Sequence, residues 1–81
     1  MLLDFQKIMQ AQDMLSAKRA IAEVARQEGT TVEDVRAAMA EAIEEACRSP
    51  DPLVQARWAR IPRKGEIPTP EELIIWVAKQ L

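Results

Sequence analysis

Residues 16–48 read SAKRAIAEVARQEGTTVEDVRAAMAEAIEEACR, and the fold turns on how this stretch is parsed. Ala20, Ile21, Val24 and Ala25 recur at three- and four-residue spacing, which places them on one face of a helix. Gly29 ends that helix, because glycine takes a left-handed C-terminal conformation without steric penalty. Thr31 offers a hydroxyl cap to the next helix, with Asp34 three residues on as a short capping-box acid. Val35, Met39, Ala42 and Ala46 then make a second apolar stripe, widened by Ala38 and Ile43. Small Ala25 before the turn and Val35 after it let the two helices cross closely, which is the packing logic of a helix-turn-helix unit. Many αα-hairpins share these features without touching nucleic acid, so spacing alone leaves both readings open.

Around this stretch, 81 residues with 48% hydrophobic content predict one domain, residues 1–81, with a single small core. Phe5, Trp58 and Trp76 are the only aromatic side chains, so that core is built from aliphatic residues, methionine and many alanines. Two glycines and few β-branched runs exclude an all-β fold. The expected class is all-α: a compact bundle of about five helices around a helix-turn-helix-like core at 16–48, closed by a helix at 70–81.

Residues 2–14 predict a first amphipathic helix with Leu2, Phe5, Ile8 and Met9 on one face. Ser16 either caps the following helix or lies at a bend between two continuous ones. If it caps, Lys18 and Arg19 sit at a helix start, where they oppose the macrodipole. The helix over 32–48 carries five acids, Glu33, Asp34, Glu41, Glu44 and Glu45, against two bases, Arg36 and Arg48. Ser49 followed by Pro50 resembles a cap with its first-turn proline, starting a shorter helix with Leu53, Ala56, Trp58 and Ile61 as its apolar surface. Residues 57–64, RWARIPRK, hold Arg57, Arg60, Arg63 and Lys64 and no acid. This patch suits phosphates, or an acidic helix of its own or a neighbouring chain. Lys64 to Pro68 forms a turn and extended linker. Thr69-Pro70-Glu71-Glu72 joins cap, first-turn proline and third-position acid at the start of an apolar last helix that should close the core.

Eleven basic and thirteen acidic residues give a net charge of −2 and a pI near 5.1, where nucleic-acid-binding modules are usually basic. The outward face of the 32–48 helix is made of Glu33, Ala37, Ala40, Glu41 and Glu44, poor readers of base edges. Cys47 is the lone cysteine, which excludes an internal disulfide and suits packing on a helical stripe. The chain has no histidine, no phosphate-binding glycine loop and no convergent carboxylate pair, so the expectation is no enzyme, no metal, no cofactor and no small-molecule substrate. The longest apolar run, IIWVA at 74–78, is far too short to span a bilayer, and no secretory pattern stands at the N-terminus. These features predict a cytoplasmic protein.

The run IAEVARQEGTTVEDVRAAMAEAIEEA, followed by KGEIPTPEELIIWVAKQL, resembles the C-terminal effector domain of the stage-zero sporulation response regulator family. The shared order is an alanine-containing helix ending in Gly-Thr-Thr, a long recognition helix, a short helix, a Lys-Gly loop and a closing helix. The resemblance covers roughly residues 16–81. It implies an all-helical DNA-binding fold whose second motif helix enters the major groove, and transcription regulation as a dimer at tandem sites. Thr30 and Thr31 match the turn that approaches the phosphate backbone. Val35, Ala38, Met39, Ala42, Ile43 and Ala46 match core positions. The family's base-reading and basic positions fall here at Asp34, Ala37, Ala40 and Glu41, so none of those side chains is preserved. The phosphoacceptor receiver domain has no counterpart in these residues.

Together these readings predict a sporulation-regulator-like DNA-binding domain with degenerate base-reading positions. Its candidate DNA contacts are Thr30, Thr31, Arg36, Arg57, Arg60, Arg63 and Lys64, with Lys18 and Arg19 as further cations. The alternative is a protein-interaction or dimerisation module of the same fold. The partners implied are DNA, a second copy of the chain, or a related regulator protein.

Overall fold

A computed structural model describes residues 11–80. Among them are four helices and no strand: α1 (Ala11–Glu28), α2 (Val32–Cys47), α3 (Pro52–Ala59) and α4 (Pro70–Gln80). The helix expected at 2–14 lies, over its first nine residues, outside the described residues, while residues 11–14 belong to α1. No helix among the described residues is long and apolar enough to cross a membrane.

Helix α1 runs without a break through Ser16, so Ser16 is not a cap and the alternative of helices that run on through it holds. Lys18 and Arg19 therefore sit well inside α1, and the argument that they oppose a helix dipole at its start does not apply. The buried stripe is Ala17, Ile21 and Ala25, at a strict four-residue spacing. Ala20 and Val24, expected on the core face, are exposed instead. Because α1 packs against both α2 and α4, a narrow line facing the gap between them is what gets covered. Alanines on either side of Ile21 let the neighbouring helices close around it, and Ile21 is only 1% exposed.

The turn between α1 and α2 follows local chemistry. Gly29 adopts φ +66°. Its N–H donates to the Arg26 carbonyl at 3.3 Å, and the Thr30 N–H donates to the Ala25 carbonyl at 2.9 Å. These two bonds form a Schellman C-cap, which satisfies carbonyls that the helix end would leave open. Thr31 then caps α2, its Oγ1 accepting from the Asp34 N–H at 3.1 Å. Within α2 the inward side chains are Val35, Met39, Ile43, Ala46 and Cys47, and Ile43 alone is fully buried. Ala38 and Ala42 are exposed, so Ile43, expected only to widen the stripe, is its centre.

The cap of α3 is Asp51, not Ser49: its carboxylate accepts from the Leu53 N–H at 2.9 Å, and Pro52 opens the helix. The sequence offers the cap-proline pattern twice, at 49–50 and at 51–52. Pro52 disfavours helical backbone at the residue before it, and Asp51 accordingly takes φ −69°, ψ 119°, as a cap does. Helix α3 ends at Ala59, leaving Ile61 as a buried residue of the following loop. Leu53, expected on the apolar surface, is 75% exposed. Gln55 reaches back to close the end of α2, its amide donating to the Cys47 carbonyl at 2.7 Å and the Ser49 carbonyl at 2.6 Å.

The start of α4 is a complete capping box. Thr69 Oγ1 accepts from the Glu72 N–H at 3.1 Å, and Glu72 Oε1 accepts from the Thr69 N–H at 2.8 Å. The second oxygen of Glu72 accepts from the Lys64 N–H at 3.1 Å, which ties the 64–68 linker to the helix. Helix α4 packs on α1 and α2 and contributes Ile75 to a core completed by Ala17, Ile21, Ala25, Ile43 and Ile61. Lys79 in its last turn pairs with Asp13 of α1 at 3.3 Å.

Candidate nucleic-acid interface

Helix α2 carries the face that a DNA reader would place in a groove. Glu33, Asp34, Ala37, Ala40, Glu41 and Glu44 are all exposed, so the face is acidic or bare. Thr30 and Thr31 lie at the turn, as expected, but both hydroxyls have intramolecular work. Thr30 Oγ1 donates to Asp34 Oδ2 at 2.9 Å, while Thr31 caps the helix. Glu44 pairs with Arg48 on the same helix, and Glu23 pairs with Arg26 on α1. The Arg26 contact lowers the Glu23 carboxyl from its ordinary value, and it raises the Arg26 guanidinium in turn.

Arg36, the cation of α2 proposed for phosphate contact, turns onto α4. Its Nε donates to Glu71 Oε2 at 2.5 Å and its Nη2 to Glu71 Oε1 at 2.8 Å, a bidentate pairing. The Arg36 side chain remains 44% exposed, whereas Glu71 as a residue is 5% exposed. The two Arg36 hydrogen bonds hold the Glu71 carboxyl below its ordinary range. Burial opposes them, and the Glu71 backbone N–H, the Arg36 charge and the Lys18 charge reinforce them. The Glu71 contact correspondingly raises Arg36. Lys18 of α1, Arg36 of α2 and Glu71 of α4 thus meet along one open cleft of about 540 Å³, floored by Met14, Ile21 and Val32. Helices α2 and α4 are joined there by the Arg36–Glu71 pair, with the Lys18 charge of α1 close by.

The basic run at 57–64 is likewise divided. Arg63 is half-buried and donates to the Trp58 carbonyl at 3.0 Å and the Glu66 carbonyl at 3.3 Å, closing the C-terminal end of α3 and pinning the loop. The backbone of Lys64 is bound to Glu72, as described above. Arg57 and Arg60 are exposed, and among the described residues neither side chain forms an ion pair or hydrogen bond. They flank a second cleft, of about 360 Å³, whose other walls are Trp58, Ile61, Leu73 and Trp76. Of the seven residues proposed from sequence, the structure brings Arg57 and Arg60 to one cleft. It places Arg36 in another, and spends Thr31 and Arg63 on closing helix ends.

Sequence reasoning missed Glu71 as the partner of Arg36, since 35 residues separate them and no local pattern links them. It also missed that Trp58 and Trp76 line one cleft. Each was readable as an apolar helix position, but their place on one cleft depends on how α3 and α4 each pack on α2.

The described residues thus form an all-α assembly in which Thr31, Asp51 and the Thr69–Glu72 box cap helices and Arg36–Glu71 and Asp13–Lys79 pair between helices. Comparison with known proteins finds no matching family model, no matching curated protein and no matching solved structure.

Proposed function

We propose that this chain is a helical protein-interaction module with a helix-turn-helix-like core, resembling the sporulation effector domain in arrangement but not reading DNA bases. The observation that carries this reading is the outward face of α2, where Glu33, Asp34, Ala37, Ala40, Glu41 and Glu44 are exposed while Arg36 is engaged by Glu71. Base edges are read by arginine, lysine, asparagine or glutamine, and carboxylates repel the phosphates on either side of the groove. A helix of alanine and glutamate lacks both the donors and the charge. Interhelical pairing of its arginine makes the loss structural as well as compositional.

A second reading keeps DNA as the partner through a phosphate grip at Arg57, Arg60 and Lys64. Its support is that Arg57 and Arg60 hold no carboxylate among the described residues. Fluorescence-anisotropy titration with mixed-sequence duplex DNA at low and moderate salt separates the two. The interaction-module reading expects no binding at low salt by a protein shown folded by circular dichroism. Binding that falls steeply with salt and disappears in Arg57→Glu/Arg60→Glu would overturn it in favour of the phosphate grip.

A further inference from the structure

Beside α3, three exposed side chains have no internal partner among the described residues. Leu53, Arg57 and Arg60 stand at i, i+4 and i+7, so they share one stripe of α3 and its C-terminal cap. Among the described residues, Leu53 is the most exposed large apolar side chain and the two arginines have no acidic partner. Behind them, Trp58, Ile61, Leu73 and Trp76 line the cleft with apolar surface, and no carboxylate among the described residues lines it. Tryptophan and arginine are the residue types that most often carry binding energy at protein interfaces, the ring by burying area and the guanidinium by bidentate pairing.

We propose that this cleft docks an acidic amphipathic helix of a partner protein, with apolar side chains seated against Trp58 and Trp76 and carboxylates paired to Arg57 and Arg60. The proposal rests on the interaction-module reading and names the partner's chemistry. Charge complementarity selects the occupant, because two unpaired guanidiniums at the rim of an apolar cleft match carboxylates flanking apolar anchors. Such anchors recur at i, i+3, i+4 and i+7 in helix-in-groove recognition. A phosphate backbone would meet the arginines but leave the apolar floor unused. A second copy of this chain would bring the acidic face of α2, whose exposed alanines, Ala37, Ala38, Ala40 and Ala42, offer methyls too small to fill about 360 Å³.

The test is selection of a randomised helical-peptide display library against the folded chain, followed by titration of the enriched peptides. Trp58 and Trp76 are the only tryptophans and the chain has no tyrosine, so intrinsic fluorescence reports on the cleft directly. The expected result is enrichment of peptides combining aspartate or glutamate with large apolar residues at helical spacing. Their binding should shift the tryptophan emission to the blue, and Arg57→Glu/Arg60→Glu should weaken it at least about tenfold, as loss of charged anchors does. A second variant, Leu53→Ala, should weaken binding without altering the melting curve. Enrichment of basic or uncharged peptides, or of acidic ones that bind the charge-reversed protein equally well, overturns the cleft assignment while leaving the module reading intact. Failure to enrich any peptide overturns the cleft assignment, and duplex binding in the anisotropy assay overturns the module reading as well. Concentration-dependent self-association that Arg57→Glu/Arg60→Glu abolishes would replace the foreign helix with a second copy.

Discussion

Removing the Arg36 guanidinium tests the joint between α2 and α4. In Arg36→Ala, Glu71, which is 5% exposed in the native fold, loses both hydrogen bonds of its bidentate pair. Breaking a fully buried pair by deleting one member costs about 3–5 kcal/mol. Here the Arg36 side chain is 44% exposed, so water entering its place screens part of that loss. The first turn of α4 and Lys18 also continue to favour the carboxylate. The discounted cost is about 2 kcal/mol, which for a domain of this length lowers Tm by about 8–16 °C. Glu71→Gln should cost less, because it leaves a guanidinium that solvent can reach. The double variant Arg36→Ala/Glu71→Gln should be more stable than the sum of the single losses implies, since it abolishes the buried charge along with its partner.

The same pair sets a pH signature. The folded Glu71 carboxyl lies below the unfolded value of about 4.3, so the unfolded chain binds the proton first as pH falls. Its contribution is complete above the unfolded value and is lost as pH drops through the folded value. Glu71→Gln should flatten the acid limb of the stability curve by that amount. Urea and thermal unfolding followed by circular dichroism, at neutral pH and through the acid range, measure all of this. A Tm drop under about 2 °C for Arg36→Ala, or strict additivity of the two single changes, would refute the joint.

Two further outcomes test the helix ends. Thr69→Ala removes one half of the capping box and should cost about 1 kcal/mol in urea unfolding, with faster amide exchange confined to the first turn of α4. Gly29→Ala should destabilise by about 1 kcal/mol in the same assay although nothing lies within 4 Å of the added Cβ. The cost there is the left-handed backbone and not a clash, and an unchanged midpoint would contradict it.

Legibility followed the range of the interaction. The Gly29 stop, the Thr31 cap and the Thr69–Glu72 box were readable because donor and acceptor lie within a few residues, and the backbone geometry alone brings them together. Ser49 was misread for a related reason: two cap-proline patterns stood two residues apart, and only the restriction that Pro52 places on Asp51 selects between them. The helical period also showed that α1 and α2 are amphipathic, but not which line of each is covered. Ala17, Ile21 and Ala25 form the buried line of α1 because α4 packs beside α2, and α4 begins some forty residues further along the chain. The candidate site was least legible. Arg36 and Arg63 looked like free cations in a basic pattern, and the structure binds one to Glu71 and the other to two backbone carbonyls.

The sequence by itself determined the all-helical class, the position of the turn at 29–31, the linker at 64–68 and the capped final helix, since each depends on local backbone preference and local hydrogen bonds. It also determined that α2 presents acids and alanines outward, because composition limits what any face can show. Only the tertiary structure decided which arginines remain available. A guanidinium on a helix surface is free or engaged according to what another helix places within hydrogen-bond reach. That is why Arg36 is held by Glu71 while Arg57 and Arg60 face an open cleft beside two tryptophans.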